Sequence, residues 1–212
     1  MTTLAIGLYD HFTALDAIGP YQVLSNIPDV TTVVCAAERG VVPDDNSLMK
    51  FDVEHTFDDV PRPDVLLVPG GFITRKIAEE GHPIVDWIAA AHPHTTWTTS
   101  VCTGALLLGA AGILDGLEAT THWASYDHLA GYGATPTAER VVRQGKIITG
   151  AGVSAGIDMA LTLAAELAGP EVAQAIQLGI EYDPQPPFDS GSPAKAPAEI
   201  LELVQAISFD GD

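Results

Sequence analysis

The sequence predicts an α/β fold in which a mostly parallel β-sheet carries helices on both faces. Strand-like and helix-like segments alternate along the 212 residues, as they do where helical crossovers join parallel strands. The strand-like segments are short and apolar, whereas the longer segments between them have apolar residues at helical spacing. Because a single α/β core commonly extends to about 250 residues, we expect one domain over residues 1–212.

The strands are predicted from short apolar or β-branched runs bounded by turn residues. In chain order they are Leu4–Tyr9, Thr31–Ala36, Val65–Val68, Thr95–Val101, Ala119–Thr121 and Lys146–Thr149. The fourth of them is followed at once by a helix of small residues, which must pack closely against it.

The helices are predicted from apolar periodicity. They are Asp16–Ser25, Ile77–Ala91, Gly104–Gly112, Ala155–Leu167 and Ala198–Ile207. Pro20 falls in the first turns of the first helix, where proline is tolerated. The segment Asp183–Pro193 contains too many prolines for regular structure, so we expect an ordered surface loop there.

Composition excludes several function classes. The chain has 9 basic and 28 acidic residues, a formal charge of −19, so its field repels nucleic acid and anionic membranes. Its two cysteines are too few for a disulfide scaffold, and the N-terminus enters an apolar strand without a basic region. No apolar run approaches the roughly 20 residues of a membrane span. We expect a soluble cytoplasmic protein.

Ligands of open α/β sheets bind at the carboxyl ends of the strands, and three segments there carry chemistry. The loop after the first strand leads to Asp16, the third strand is followed by Gly70 and Gly71, and the fourth by Cys102 and Thr103. If these loops meet, they bring a thiol, a carboxyl group and flexible backbone amides into one cleft.

Cys102 lies at a strand-to-helix corner, which is the position of a nucleophile elbow. Such a turn exposes the sulfur, and the amides and dipole of the following helix are expected to favour the thiolate. Cys35 lies inside an apolar strand and is interpreted as a small core residue.

The partners of Cys102 each have a structural alternative. Taken by itself, Asp16 is best interpreted as a helix N-cap. If it lies beside a sulfur anion, we expect the pKa of its carboxyl group to rise, so that it can act as an acid. Gly71 and its neighbour form either a tight turn or a pair of amides that approach a developing anion. Thr103 offers a hydroxyl and an N–H, yet a threonine in a first helical turn needs no function.

Histidines provide the alternative of a Cys–His pair. His122 follows a predicted strand and His11 lies near Asp16, but neither has a spacing that requires a catalytic role, and a structural histidine is commoner. No HExxH, paired CxxC or clustered His/Asp pattern occurs, so no metal centre is expected.

Several of these segments together resemble the ThiJ/PfpI superfamily. They are Leu15–Pro20, Val68–Gly71, Ser100–Ala105, Ala119–Trp123 and Gly152–Asp158. Within the superfamily the chain is most similar to the isonitrile hydratases, which add water to R–N≡C to give an N-formamide. The resemblance implies a flavodoxin-like sandwich, a homodimer, no cofactor and a small-molecule isonitrile substrate. It also implies that Cys102 is the nucleophile and Asp16 the general acid/base.

Other branches of the superfamily fit less well. Its peptidases and many glyoxalases or deglycases have histidine directly after the cysteine, or a glutamate on the first loop, where this chain has Thr103 and Asp16. The motifs also resemble the amidotransferase-like domain of AraC-type regulators, but we expect no helix-turn-helix domain, and the negative charge argues against DNA binding.

The resemblance and the residues lead to one hypothesis of mechanism. Cys102 attacks the isonitrile carbon, Asp16 protonates that carbon to give a thioimidate, and the carboxylate then activates water. Thr103 orients Asp16, and the amides around Gly71 and Thr103 polarise the intermediate. Two alternatives stay open, namely a cysteine-dependent hydrolase or glyoxalase with His122 as base, and a redox-sensing protein with Cys102 as an oxidisable thiol.

Overall fold

A seven-stranded, mostly parallel sheet forms the centre of the fold. The computed structural model describes residues 1–209, apart from the side chains of residues 208 and 209. The strands of the central sheet are β1 (Thr2–Gly7), β2 (Val30–Ala36), β5 (His55–Thr56), β6 (Val65–Val68), β7 (Trp97–Val101), β10 (Val141–Gln144) and β11 (Ile147–Gly150). Their order is β10-β11-β7-β6-β1-β2-β5, and only the edge strand β10 is antiparallel to its neighbour.

Helices cover this sheet in two groups. They are α1 (Ala14–Leu24), α2 (Thr74–Glu80), α3 (Pro83–Ala91), α4 (Gly104–Ala110), α5 (Tyr126–Gly131), α6 (Ala155–Ala168) and α7 (Pro170–Gly179). The first group contains α1, α6 and α7, and the second contains α2, α3, α4 and α5. The predicted flavodoxin-like α/β architecture is therefore confirmed.

One predicted helix and one predicted strand differ from the structure. The helix predicted over residues 77–91 is divided, because Gly81 has a φ of 80° and Pro83 begins α3. The strand predicted over residues 119–121 lies outside the central sheet, since β8 (Glu118–Ala119) pairs with β9 (Thr135–Pro136) instead. Beyond β8, the Thr120 amide donates to the Thr149 hydroxyl, so side chains replace a strand ladder there.

The sequence analysis missed a β-hairpin beside the first loop of the fold. It consists of β3 (Gly40–Pro43) and β4 (Lys50–Val53), which pair antiparallel. The loop between these strands bonds to the β1–α1 loop, where the Asp45 amide donates to the Phe12 carbonyl at 2.9 Å. The hairpin thereby extends the edge of the fold at which α1 begins.

The chain divides into two compact units, residues 1–180 and 181–212. In the second unit the segment Asp183–Pro193 has neither helix nor strand, as predicted, and α8 spans Ala198–Phe209. The expectation of a single domain over residues 1–212 stays a prediction. Across residues 1–209, no helix combines the length and the apolar composition that crossing a membrane requires.

Close packing at the β7–α4 corner explains the small residues in that segment. Gly104, the first residue of α4, lies against the carbonyl oxygens of Val68 and Pro69 at the end of β6. A Cβ at position 104 would be 2.8 Å from the Pro69 oxygen, a distance at which the backbone must move. The glycine thus lets the residues that follow β6 and β7 approach one another.

We expect Gly104→Ala to lower the free energy of unfolding by about 1–3 kcal/mol, because the added methyl group would collide with the carbonyl oxygens of Val68 and Pro69. Urea unfolding followed by circular dichroism measures the change. Gly131→Ala in α5 is the matched control, since nothing lies within 4 Å of a Cβ there and removing a glycine stabilises by about 0.4–1 kcal/mol. Equal effects of the two substitutions would contradict this explanation.

Candidate active site

Cys102 occupies a strained turn between β7 and α4. Its φ of 55° lies in the left-handed region, which is unusual for a residue other than glycine. The surrounding backbone holds it there, because the Cys102 amide donates to the carbonyls of Gly150 and Ala151 at 3.1 and 2.8 Å. The Cys102 carbonyl accepts a hydrogen bond of 2.9 Å from the Thr121 hydroxyl. The predicted strand-to-helix turn is present, and two neighbouring segments, residues 150–151 and Thr121, stabilise it.

The environment of the Cys102 sulfur favours the thiol and not the thiolate. The residue is only 6% exposed, and burial raises the pKa of its thiol to about 12, with the negative charge of Asp16 as the second cause. The amides of Val153 and Thr103 and the Thr103 hydroxyl lower the pKa, but by less than burial raises it. The expectations that the turn exposes the sulfur and that the helix terminus favours the thiolate are therefore wrong for this structure, because desolvation outweighs the hydrogen bonds from Val153 and Thr103.

Asp16 is the third residue of α1 and is completely buried. Its Oδ2 accepts a hydrogen bond of 2.9 Å from the Gly70 amide, so the carboxyl group serves another loop and not its own helix. Thr13 holds the N-cap position, which rules out the N-cap interpretation of Asp16. The other oxygen, Oδ1, has no aligned hydrogen-bond partner among residues 1–209.

Burial also dominates the ionisation of Asp16. The pKa of the carboxyl group is raised to about 7, because burial outweighs the Gly70 amide and the Cys102 side chain, which lower it, and the charge of Asp45 adds a smaller increase. The Cys102 thiol is thus close enough to act on the carboxyl group without forming an aligned hydrogen bond. The structure therefore brings together a thiol and a carboxyl group that is half ionised near neutral pH.

Thr103 and the glycines after β6 form a tight junction beside this pair. The Thr103 hydroxyl accepts from the Gly71 amide and donates to the Gly71 carbonyl, both at 3.0 Å. A Cβ on Gly70 would be 2.6 Å from the Thr103 nitrogen and 2.8 Å from the Asp16 Oδ2, so only glycine allows this approach. The Gly70 and Gly71 amides are both hydrogen bonded in this arrangement, to Asp16 and Thr103 respectively.

His122 does not supply a base for the thiol. Its Nδ1 accepts a hydrogen bond from the Ala124 amide, and its ring lies against Gly152. Burial, followed by the charge of Arg75, lowers the pKa of His122. The groups that act on the Cys102 thiol are Asp16, Val153 and Thr103, so the structure does not form the Cys–His pair that a hydrolase would need.

Sequence reasoning missed three polar residues around the pair. Tyr9 is buried and donates its hydroxyl to the Pro69 carbonyl at 2.9 Å, Thr121 holds the Cys102 carbonyl, and Asp45 acts on Asp16 from the β3–β4 loop. Burial and the nearby acidic groups raise the pKa of Tyr9 well above its usual value. Tyr9 could have been found as a polar residue at the carboxyl end of a predicted strand, but nothing in the sequence pattern distinguishes Asp45.

Other parts of the described chain offer no comparable site. Within residues 1–209, no group of three or more His, Cys, Asp or Glu side chains is arranged to hold a metal ion. An open cleft of about 380 Å³ lies beside α3, where Phe57 stacks on Trp87 between Asp58 and Asp86. It lacks a nucleophile and a strained backbone, whereas the Cys102–Asp16 pair has both, so the pair is the candidate site.

Comparison with known proteins gives consistent matches. The sequence matches the DJ-1/PfpI family over residues 3–166. It is 46% identical over 196 residues to isonitrile hydratase from Pseudomonas putida, which covers 92% of this chain and 85% of that protein. The structure is similar to a ThiJ/PfpI family protein from Pseudomonas syringae, with a TM-score of 0.91, 37% identity and coverage of 98% and 87% of the two chains.

A more distant match shows the shared fold alone. The structure of DJ-1beta from Drosophila melanogaster has a TM-score of 0.75 at 18% identity, with coverage of 86% of this chain and 99% of that one.

We expect Asp16 to make the protein less stable as the pH rises. Its pKa is about 7 when folded and about 3.9 when unfolded, so between these values the folded protein holds a proton that the unfolded chain has lost. The free energy of unfolding should therefore fall by on the order of 2–3 kcal/mol between pH 5 and pH 8 through this group. Asp16→Asn, which cannot ionise, should lack this part of the decline and be more stable than the native protein at pH 8.

Urea unfolding at the two pH values measures this difference. Asp52→Asn, on the exposed face of β4, removes the same charge elsewhere and should keep the native decline. The explanation fails if stability falls as steeply in Asp16→Asn as in the native protein.

Proposed function

The chain belongs to the DJ-1/PfpI family, and on that premise we propose that it is an isonitrile hydratase, which adds water to R–N≡C and releases an N-formamide. The observation that carries the proposal is the buried pair of Cys102 and Asp16, a thiol beside a carboxyl group whose pKa is about 7. The 46% identity to the enzyme from Pseudomonas putida over most of both chains supports the same reaction.

The substrate explains why a thiol and a carboxyl group are needed together. The terminal carbon of an isonitrile accepts a nucleophile and then carries carbanion character, so a proton must reach the same carbon. Above the Asp16 pKa of about 7 the pair holds one proton, which resides on sulfur because the thiol has the higher pKa. An Asp16 carboxylate next to a Cys102 thiol can therefore accept this proton and deliver it to the carbon.

In the first step Sγ of Cys102 forms a bond to the isonitrile carbon. The thiol proton passes through the Asp16 carboxylate to that carbon, which gives a thioimidate, R–N=CH–S–Cys, and regenerates the carboxylate. Proton transfer by a positioned carboxylate removes the need for a free thiolate, which the buried sulfur disfavours.

In the second step the Asp16 carboxylate accepts a proton from water, whose oxygen attacks the thioimidate carbon. The carbon–sulfur bond then breaks, its electrons return to sulfur, and Asp16 supplies the proton that the nitrogen gains. The second proton of the water passes to sulfur and restores the thiol, and the product is R–NH–CHO. Each cycle consumes one water and restores both residues, so the proposed reaction involves no cofactor.

Thr103 and Gly71 have supporting roles in this proposal. Their reciprocal hydrogen bonds connect the turn that carries Cys102 to the loop whose Gly70 amide binds Asp16. A rigid connection keeps sulfur and carboxyl group at a fixed separation, which is the requirement for proton transfer. The Gly71 amide is engaged by the Thr103 hydroxyl, so polarisation of the thioimidate falls to the Thr103 amide, which acts on the Cys102 sulfur.

We also infer the wider context of the enzyme from its family. The proposal includes a single domain over residues 1–212, a homodimer and a cytoplasmic location, with a small-molecule substrate. The net charge of −19 supports the absence of a nucleic acid partner.

The two alternative functions have less support. A hydrolase or glyoxalase would need His122 as base, yet the groups acting on the thiol do not include it. A redox sensor would need a thiolate, whereas burial and Asp16 raise the pKa of Cys102 to about 12.

We expect the native protein to convert an aryl isonitrile to its N-formamide and Cys102→Ala to be inactive. Asp16→Asn should reduce kcat by about 10²- to 10⁴-fold, since it removes the proton transfer. Loss of substrate absorbance and mass identification of the formamide measure the reaction. His122→Asn, which keeps an acceptor for the Ala124 amide, should remain active.

The outcomes separate the candidate functions. Full activity of Asp16→Asn combined with loss of activity in His122→Asn would favour the hydrolase mechanism. An inactive native protein would overturn the hydratase proposal and leave methylglyoxal and amide substrates to be tried.

We expect kcat/KM to rise with pH through about 7 and then to reach a plateau. The active form of the pair has one proton, and Asp16 must lose its own proton to reach it. Initial rates between pH 5.5 and 9, corrected for the uncatalysed reaction, measure this profile. If kcat/KM fell as the pH rises through 7, the assignment of one proton to the active pair would be wrong.

A further inference from the structure

The β3–β4 loop places a second carboxyl group next to the start of α1. Two backbone hydrogen bonds join this hairpin to the β1–α1 loop: the His11 amide donates to the Pro43 carbonyl, and the Asp45 amide donates to the Phe12 carbonyl. Within the hairpin, the Ser47 amide donates to the Asp44 carbonyl. The Asp44 carboxylate is only 4% exposed and accepts from the Leu48 and Met49 amides, which closes the loop internally. Asp45 is therefore held on an ordered turn.

Thr13 connects Asp45 to the helix that carries Asp16. Thr13 is the N-cap residue of α1, but its side chain makes no capping hydrogen bond. Its hydroxyl donates to Oδ2 of Asp45 at 3.0 Å, while its amide donates to the Gly70 carbonyl at 2.8 Å. A residue type that normally caps a helix is here used to hold a carboxylate.

The Thr13 carbonyl accepts a hydrogen bond from the Asp16 amide at 3.1 Å, so the residue that anchors Asp45 also contacts Asp16. The charge of Asp45 is the smallest of the four causes that shift the pKa of Asp16. It is among the causes that raise the pKa of Asp16 and of Tyr9, but the causes found for Cys102 do not include it. The other ionisable groups around Asp16 are Tyr9 at the end of β1 and the Cys102 thiol. On α6, which packs against α1, the Asp158 carboxylate is paired with Arg140.

We propose that Asp45 is a positioning residue for the hydration reaction. Thr13 anchors its carboxylate, and the negative charge of Asp45 favours transfer of the thiol proton to the Asp16 carboxylate. This inference rests on the proposed function. The proton that Asp16 must accept comes from a thiol with a much higher pKa, so the transfer is uphill. A neighbouring negative charge reduces the difference between donor and acceptor, and Brønsted behaviour then makes the transfer faster.

Asp45→Asn tests the role of the charge, because the amide oxygen still accepts the Thr13 hydroxyl. We expect the pH at which kcat/KM is half-maximal to fall by up to about half a unit, since Asp45 is the smallest of the causes acting on the pKa of Asp16. The plateau of kcat/KM should fall about twofold to threefold, since a less basic carboxylate accepts the proton more slowly. A loss of packing alone would lower the plateau without moving the pH profile.

Two further variants separate charge from position. Asp45→Glu keeps the negative charge and should retain most of the native pH profile. Thr13→Val removes the anchoring hydroxyl and should move the profile in the same direction as Asp45→Asn. Because the two residues act through one contact, Thr13→Val combined with Asp45→Asn should shift the profile no further than Asp45→Asn alone.

A direct titration of Asp16 makes the test independent of turnover. Protein labelled with ¹³C at the aspartate side-chain carboxyl groups is titrated by NMR, and the Asp16 signal is the one absent from Asp16→Asn. Its midpoint should move down in Asp45→Asn by the same amount as the kinetic profile. Asp52→Asn removes a charge from the same hairpin and should leave both midpoints unchanged.

The results distinguish this inference from the proposed function. If native protein hydrates isonitriles but neither midpoint moves in Asp45→Asn, or if Asp52→Asn moves them equally, the role of Asp45 is overturned and the hydratase stands. If native protein does not hydrate isonitriles while the Asp16 titration moves in Asp45→Asn alone, the proposed function fails and the coupling of the two carboxyl groups stands.

Discussion

The desolvation of one carboxyl group beside one thiol is the constraint on which the rest of this structure depends. Asp16 is completely buried and Cys102 nearly so, and burial is the largest cause of the raised pKa of each. Removing water penalises both anions, so near neutral pH the thiol keeps its proton and the carboxyl group is only half ionised, whereas an exposed aspartate would be fully ionised. A site that must move a proton between sulfur and carbon needs this proton to stay within the pair.

Keeping water away requires that three loops close over the pair with almost no space between their backbones. The glycines after β6 and at the start of α4 meet this requirement, because a Cβ at Gly70, Gly71 or Gly104 would collide with backbone atoms. The strain of Cys102 has the same origin, since its left-handed φ directs the sulfur toward the carboxyl group while Gly150, Ala151 and Thr121 hold its backbone. Stability is lost at the site and is recovered in the apolar core of the sheet and helices.

The family fold explains where these groups meet, but the edge of the fold adjusts how they react. Parallel strands β1, β6 and β7 are neighbours in the sheet, so the loops after them converge at its carboxyl edge. The β3–β4 hairpin lies outside this sheet and contributes the carboxylate of Asp45. The chemistry of the site is thus distributed between the central sheet, which positions the reacting groups, and a peripheral hairpin, which adds charge.

The sequence by itself determined the α/β architecture and the strand-to-helix turn at Cys102, because these depend on local features, namely apolar runs and small residues. It singled out Asp16 as a side chain that follows the first strand, and the catalytic role of Asp16 stays a proposal. Only the tertiary structure decided the ionisation of the pair, since burial arises from segments far apart in the chain and outweighs the local helix terminus that favours a thiolate. It likewise engaged His122 Nδ1 with the Ala124 amide, moved Glu118–Ala119 out of the central sheet and brought Asp45 to Thr13. Contacts of the site join residues far apart in the chain, such as Asp16 and Gly70, which are 54 positions apart, and periodicity along a chain carries no information at that range.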